Sequence, residues 1–68
     1  MVDVKRLDYE LSRKDMNRAD AARKLNMNPS TFYRKLKRGV LDSDEIEALM
    51  VLLDIEDPMP IFFASSGA

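Results

Sequence analysis

Apolar residues recur along the chain three and four residues apart, and short polar stretches separate the groups. Val4, Leu7 and Leu11 follow this spacing, which predicts a first helix from Val4 to about Lys14. A similar group between Ile46 and Leu53 predicts the core face of a fourth helix. Because no stretch alternates apolar and polar residues with a period of two, we expect an all-α fold without a sheet.

The second predicted helix covers residues 17–25 and begins with a strong start signal. The side chain of Asn17 can accept from a free amide of the first turn, and Asp20 can reach back to the amide of Asn17. Only Asn26 and Met27 separate this helix from the cap of the next one. Asn26 tolerates the left-handed backbone that a helix needs before a sharp turn.

The third predicted helix covers residues 29–38. Asn28 caps it, Pro29 occupies the first position, where a missing amide costs nothing, and Gly39 ends it. Two short helices joined by so tight a turn predict a helix-turn-helix. Four apolar positions of the pair can face one core: Ala22, Leu25, Phe32 and Leu36. The other positions of the third helix are polar, aromatic or basic, as a reader of the major groove requires: Ser30, Thr31, Tyr33, Arg34, Lys35, Lys37 and Arg38.

The fourth helix opens at Asp42, and Glu45 completes a pair that resembles a capping box. Val51 and Leu52 fall partly off its apolar stripe. We therefore expect either the segment that follows or a second subunit to cover these two residues.

A short fifth helix is predicted after Asp57, which caps it, with Pro58 in its first turn. One turn of helix cannot direct three successive large side chains, Ile61, Phe62 and Phe63, toward one core. We expect at least one of them to be exposed or to pack against a second chain.

Length bounds the organisation of the chain. Sixty-eight residues allow one domain with a thin core, which we assign to residues 1–64. We expect residues 1–3 to be frayed and residues 65–68 to form a disordered tail. A core of this size often needs a partner chain for full stability.

Composition excludes several classes of function. The chain has no cysteine and no histidine, so it lacks disulfides, thiolate metal sites and the commonest general base. No nucleophile is spaced with a base and no glycine-rich phosphate loop is present, so we expect no catalytic residue, no metal, no cofactor and no small-molecule ligand. The longest apolar run, residues 49–53, is too short to span a membrane, and a cytoplasmic protein is expected.

The net charge of −1 hides a strong asymmetry. Residues 1–40 carry all eleven Lys and Arg and five acids, a net charge of +6, whereas residues 41–68 carry seven acids and no base. A concentration of positive charge is typical of a surface that binds a polyanion. Cations on a helix usually form a solvated face only, but their place on the second helix of a helix-turn-helix favours contact with DNA.

The order of these elements resembles the Cro/cI-type helix-turn-helix repressors of phages and bacteria, the XRE-like family. The likeness covers about residues 4–63 and rests on residues 16–25, residues 27–36, Gly39 and the segment from Asp57 to Phe63. The resemblance implies a compact five-helix, lambda-repressor-like domain. It also implies a homodimer that binds a pseudo-palindromic operator in double-stranded DNA, in a bacterial cell or a phage-infected one.

The resemblance further implies roles for individual side chains. Base reading falls to the start of the third helix and to the position one turn later: Pro29, Ser30 and Arg34, with Tyr33 beside them. Phosphate contacts are expected from the start of the second helix and the loop after the third: Asn17, Arg18, Lys37 and Arg38. From their positions on the third helix, Thr31 and Lys35 are also assigned to phosphate contact. The apolar triplet Ile61, Phe62 and Phe63 is assigned to the dimer interface.

Three positions depart from the family pattern. Asn26 replaces a common glycine, and Arg18 stands where glutamine is frequent. Pro29 cannot hydrogen-bond a base through its side chain, so readout depends on Arg34 and Ser30. The planar guanidinium of Arg34 favours guanine, whose O6 and N7 match its two donors.

Two functions stay open at this point. The first is a sequence-specific regulator of transcription, most simply a repressor that blocks promoter access. The second is a helix-turn-helix module that has lost DNA binding and holds a protein partner, which the acidic second half of the chain favours. Tyr33 could equally pack at the rim of its helix, and residues 61–63 could simply close the core.

Overall fold

The computed structural model describes residues 1–64, which form five helices and no strand. In chain order the helices are α1 (Val4–Arg13), α2 (Arg18–Lys24), α3 (Pro29–Arg38), α4 (Ser43–Leu53) and α5 (Met59–Phe62). The predicted all-α fold of five helices is therefore confirmed. The predicted disordered tail, residues 65–68, lies outside the described residues. Within the described part, every helix is too short or too polar to cross a lipid bilayer.

The starts of the helices follow the predicted capping. Asn17 accepts from the amide of Asp20 at 2.8 Å, and Asp20 accepts in return from the amide of Asn17 at 3.1 Å. Before α3, the side chain of Asn28 accepts from the amide of Ser30 at 2.8 Å. These bonds satisfy amides that the first turn of a helix leaves without a partner. The capping box of α2 and the cap of α3 are confirmed.

The two later helices begin less uniformly. Glu45 accepts from the amide of Asp42 at 2.8 Å, as predicted for α4. Asp57 accepts from the amide of Met59 at 3.0 Å, so it caps α5 from two residues before the first helical residue. The helix starts after Pro58 and consists of a single turn.

Each of the first four helices is followed, within two residues of its end, by a residue with a left-handed backbone. These residues are Asp15, Asn26, Gly39 and Asp54, with φ between 55° and 79°. In each case the next amide bonds to the carbonyl five residues back, as from Met27 to Ala22 at 2.8 Å. The predicted left-handed turn at Asn26 and the predicted end of α3 at Gly39 are both confirmed.

The core lies where α3 crosses α2. Phe32 and Leu36 of α3 are buried against Ala21 and Ala22 of α2, whose single methyl groups let the helices approach closely. Leu25 is only half-buried at the edge of this contact. The other helices and their flanking residues complete the core through Val2, Leu7, Leu11, Leu41, Ile46, Leu49, Leu53, Ile61 and Phe62.

The first residues are held in place, so the expectation that residues 1–3 are frayed is wrong. Val2 is only 4% exposed and its amide donates to the carbonyl of Gly39 at 2.9 Å. The amide of Asp3 donates to the carbonyl of Ile61 at 2.6 Å. This short extended segment therefore ties the end of α3 to α5. A single buried valine outside a helical pattern gave no periodic signal from which to predict it.

The apolar triplet at the end of the chain divides between core and surface. Ile61 and Phe62 are buried, whereas Phe63 is 51% exposed. On α4, Leu52 is half-buried but Val51 remains 80% exposed. The segment after α4 therefore does not cover Val51.

Candidate nucleic-acid interface

The outer face of α3 is a continuous polar and basic stripe, which we call the α3 face. Its members follow helical spacing and all are exposed: Ser30, Tyr33, Arg34, Lys37 and Arg38. Residues three and four apart lie on one side of a helix, and the buried Phe32 and Leu36 turn the opposite side toward the core. Packing on α2 thus directs the stripe away from the protein.

The cations of the α3 face have no acidic partner within residues 1–64. No carboxylate of this part lies within salt-bridge distance of Arg34, Lys37 or Arg38. Three positive charges therefore stand together on about two turns of helix. An anion can bind them without first displacing a group of the protein.

The start of α3 places small polar groups beside these charges. Ser30 is exposed, while Pro29 and Thr31 on either side of it are half-buried. The amide of Ser30 is used by the Asn28 cap, which leaves its hydroxyl for an external partner. Asn17, at the start of α2, is exposed, but its side-chain oxygen is engaged in the capping box.

Arg18 differs from the α3 cations because the protein itself holds it. Its Nε donates to Oδ1 of Asp8 at 2.9 Å, and its second guanidinium nitrogen donates to Oδ2 at 2.7 Å. This hydrogen bonding lowers the pKa of Asp8 and raises the pKa of Arg18 from their ordinary values. A phosphate contact at Arg18 would have to compete with both bonds, and it stays a prediction.

Lys35 is also turned away from the α3 face. Its ammonium donates to Glu45 at 2.7 Å and to Asp42 at 3.1 Å, both at the start of α4. The bond to Glu45, aided by the one to Asp42, raises the pKa of Lys35. These bonds link α3 to α4, and position 35 lies off the stripe formed by residues 30, 33, 34, 37 and 38. The phosphate contact of Lys35 would have to break this link, and it stays a prediction.

The sequence pattern did not identify the acids that bind Arg18 and Lys35. Asp8 lies ten residues from Arg18 in sequence, and Asp42 and Glu45 were recognised only as a cap. The one available signal was the helical register of α3, which separates position 35 from the α3 face.

The structure also limits the predicted dimer interface. Ile61 and Phe62 are used inside the subunit, so neither offers a surface to a second chain without unfolding α5. Phe63 is the exposed member of the triplet. Its contact with a second copy stays a prediction.

Within residues 1–64 there is no group of His, Cys, Asp or Glu side chains that could hold a metal ion. The acids bound to Arg18 and Lys35 leave the cations of the α3 face unpaired within the described residues. The α3 face presents three positive charges, a phenol and a hydroxyl on one helix.

Residues 11–39 match the model of a helix-turn-helix family described as "Bacterial regulatory protein, Fis family". The matched range runs from the end of α1 through α2 and α3 to Gly39. No curated protein and no solved structure matches the chain. The family match supports a bacterial helix-turn-helix DNA-binding regulator of transcription, and it does not single out the Cro/cI type.

Proposed function

We propose that the protein is a sequence-specific regulator that inserts α3 into the major groove of double-stranded DNA. In this proposal it acts as a homodimer of the Cro/cI type on a pseudo-palindromic operator, most simply as a repressor. Arg34 and Ser30 read base edges from the α3 face, with Tyr33 beside them. Lys37 and Arg38 bind phosphates.

The observation that carries the proposal is the set of three unpaired cations on the second helix of the helix-turn-helix. Arg34, Lys37 and Arg38 are exposed, share one face and have no carboxylate partner among residues 1–64. Exposed cations with neighbouring acids are common on solvated helices, and here that neutralisation is missing. A major groove about 12 Å wide admits a helix of this kind.

Arg34 has a special place on the α3 face because it lies one turn after Ser30. Recognition helices direct their N-terminal residues toward base edges, while residues nearer the C-terminus meet the backbone. The guanidinium can donate two bonds to O6 and N7 of guanine, whereas the ammonium of Lys37 acts as a point charge. We therefore assign the N-terminal part of the α3 face to base reading and its C-terminal part to phosphate contact.

Selection of bound sequences from a random DNA pool tests the proposal directly. A shared motif in the selected duplexes, arranged as two half-sites about 34 Å apart, is the expected result. Arg34→Ala should then cost about 1–3 kcal/mol and relax preference at one base pair. Lys37→Ala is the control, since loss of a phosphate contact weakens all sequences alike. A pool that yields no motif, or an unchanged motif with Arg34→Ala, contradicts the assigned readout.

The dimer is proposed from symmetry and from the exposed Phe63. Operators with two-fold symmetry bind proteins with the same symmetry, so two copies are needed to fill both half-sites. Sedimentation of the free protein and of Phe63→Ser measures the association. A dimer that the substitution does not weaken would place the interface elsewhere.

The second candidate function is a protein-interaction module without DNA binding. Val51 is 80% exposed on α4, among the acids Asp44 and Glu47, which favours this alternative. A mobility shift with random-sequence DNA at low salt separates the two functions. A regulator retains sequence-independent affinity under these conditions, whereas an interaction module leaves the duplex unshifted.

A further inference from the structure

The carboxylate of Asp8 in α1 accepts two parallel hydrogen bonds from Arg18, the first residue of α2. The two distances are 2.9 Å and 2.7 Å, and the planar carboxylate meets the planar guanidinium edge to edge. Paired bonds between ionised groups are stronger and more directional than neutral ones. The side chains of Arg18 and Asp8 are 37% and 46% exposed, so solvent or an approaching anion can reach the pair.

The pair lies at the start of the helix-turn-helix. Arg18 is the first residue of α2, and the first helix of a docked helix-turn-helix crosses the DNA backbone. A duplex docked on α3 would therefore bring part of its backbone close to both Arg18 and Asp8. The charge state of this pair therefore affects how strongly it attracts or repels a phosphate of the DNA backbone.

The cations around α3 fall into two classes. Arg34, Lys37 and Arg38 keep their positive charge unopposed within the described residues. Arg18 is neutralised, because its donors would have to leave Asp8 before they could bind a phosphate. The carboxylate left behind would then repel that phosphate at short range.

We propose that Asp8 is a positioning residue that acts through Arg18 and sets the affinity of the protein for DNA. By holding the guanidinium, Asp8 withholds one cation from the phosphate backbone and lowers affinity for DNA of any sequence. Phosphate contacts carry no sequence information, so Asp8 lowers affinity for the operator and for random DNA by a similar factor. The inference rests on the proposed function.

Asp8→Asn tests the proposal, because the amide keeps the size of the side chain and removes its charge. The measurement is the salt dependence of binding to a random-sequence duplex, compared with the unsubstituted protein. Release of Arg18 should add one phosphate contact and steepen the log–log slope by about 0.9. If the two proteins bind equally at 1 M salt, this slope predicts about eightfold tighter binding at 0.1 M. Affinity for the selected operator should rise by a similar factor, so the ratio between operator and random DNA should stay the same.

Glu10→Gln is the matched control. Glu10 lies on the same helix and binds Arg13 at 2.8 Å, so the substitution removes the same charge and frees a cation in the same way. It does not touch the Arg18 pair. The expected slope is that of the unsubstituted protein, and an equal steepening with Glu10→Gln would show an effect of net charge alone and overturn the proposal.

The double variant Asp8→Asn with Arg18→Met gives a second test that preserves net charge. Because the pair is neutral in the proposal, its removal should leave the slope unchanged, while thermal unfolding reports any loss of stability separately. A slope shallower by about 0.9 would show that Arg18 binds phosphate despite Asp8, and would overturn the proposal. If the unsubstituted protein binds and Asp8→Asn leaves its slope unchanged, the inference alone fails. If neither protein binds random DNA at low salt, the inference and the proposed function both fail.

Discussion

Lys35 and Lys37 are two residues apart on α3, yet the structure gives them opposite tasks. The ammonium of Lys35 is bound to Glu45 and Asp42, whereas Lys37 is exposed on the α3 face. Lys35→Met and Lys37→Met change the net charge equally and replace the same side chain. Any difference between the two variants in DNA binding therefore reports position and not charge.

The expected magnitudes follow from counting phosphate contacts. Lys37→Met removes one contact and should make the log–log salt slope shallower by about 0.9. Between 50 and 200 mM salt, this difference changes the affinity ratio between the variant and the unsubstituted protein by about 3.5-fold. Lys35→Met should leave the slope unchanged, because its ammonium neutralises carboxylates of α4 and not phosphates.

Stability should separate the two variants in the opposite sense. Loss of Lys35 leaves Glu45, whose side chain is 14% exposed, without its cation, so the melting temperature should fall. Lys37→Met should leave the melting temperature close to that of the unsubstituted protein. Fluorescence anisotropy with a labelled random duplex gives the slopes, and circular dichroism gives the melting curves. If Lys35→Met flattens the slope as much as Lys37→Met does, Lys35 leaves α4 to bind DNA and its reassignment is wrong.

Three further predictions concern stability. Val2→Ala should lower the free energy of unfolding by about 1.5–2 kcal/mol, from two buried methyl groups, while the exposed Val40→Ala should change it little in the same denaturant titration. Gly39→Ala should lower it by about 1–2 kcal/mol, because φ is +79° and the new Cβ would lie 3.0 Å from the Met1 side chain; an unchanged midpoint would contradict the left-handed turn. Folding lowers the pKa of Asp8, so the folded state binds fewer protons and the pair should lose its stabilising effect as pH falls below about 4. Melting curves of Asp8→Asn between pH 2 and 6 should therefore depend less on pH than those of the unsubstituted protein.

Local sequence signals predicted most of the backbone because the residues that specify each helix start lie close together in sequence. Asn17 with Asp20, and Asn28 with Pro29, specify where α2 and α3 begin, and each involves groups no more than three residues apart. The left-handed ends at Asp15 and Asp54 were missed, since aspartate is also a common residue at exposed positions and marks such a turn less clearly than Asn26 or glycine.

Features that depend on contacts distant in sequence could not be predicted in this way. The position of Val2 depends on a bond to Gly39, and the pairing of Lys14 with Asp54 joins residues forty apart. Helical periodicity identifies which face of α3 is outside, but it does not say which acid of another helix lies beside a given cation. For the same reason, Arg18 looked equivalent to Lys37 in the sequence.

The acidic residues explain how a chain with a net charge of −1 can present a basic surface. Lys35 is bound by two acids of α4, and Arg18 is bound by Asp8. Screening limits the reach of exposed charges to about 10 Å at 0.1 M salt, so a bound phosphate responds to the cations nearest to it. The net charge of the chain is therefore a poor guide to its affinity for DNA. That affinity depends on which cations have an acid bound to them. On this reasoning, an acid placed on the α3 face should weaken DNA binding more than an acid placed at an exposed position of α4, although both variants have the same net charge.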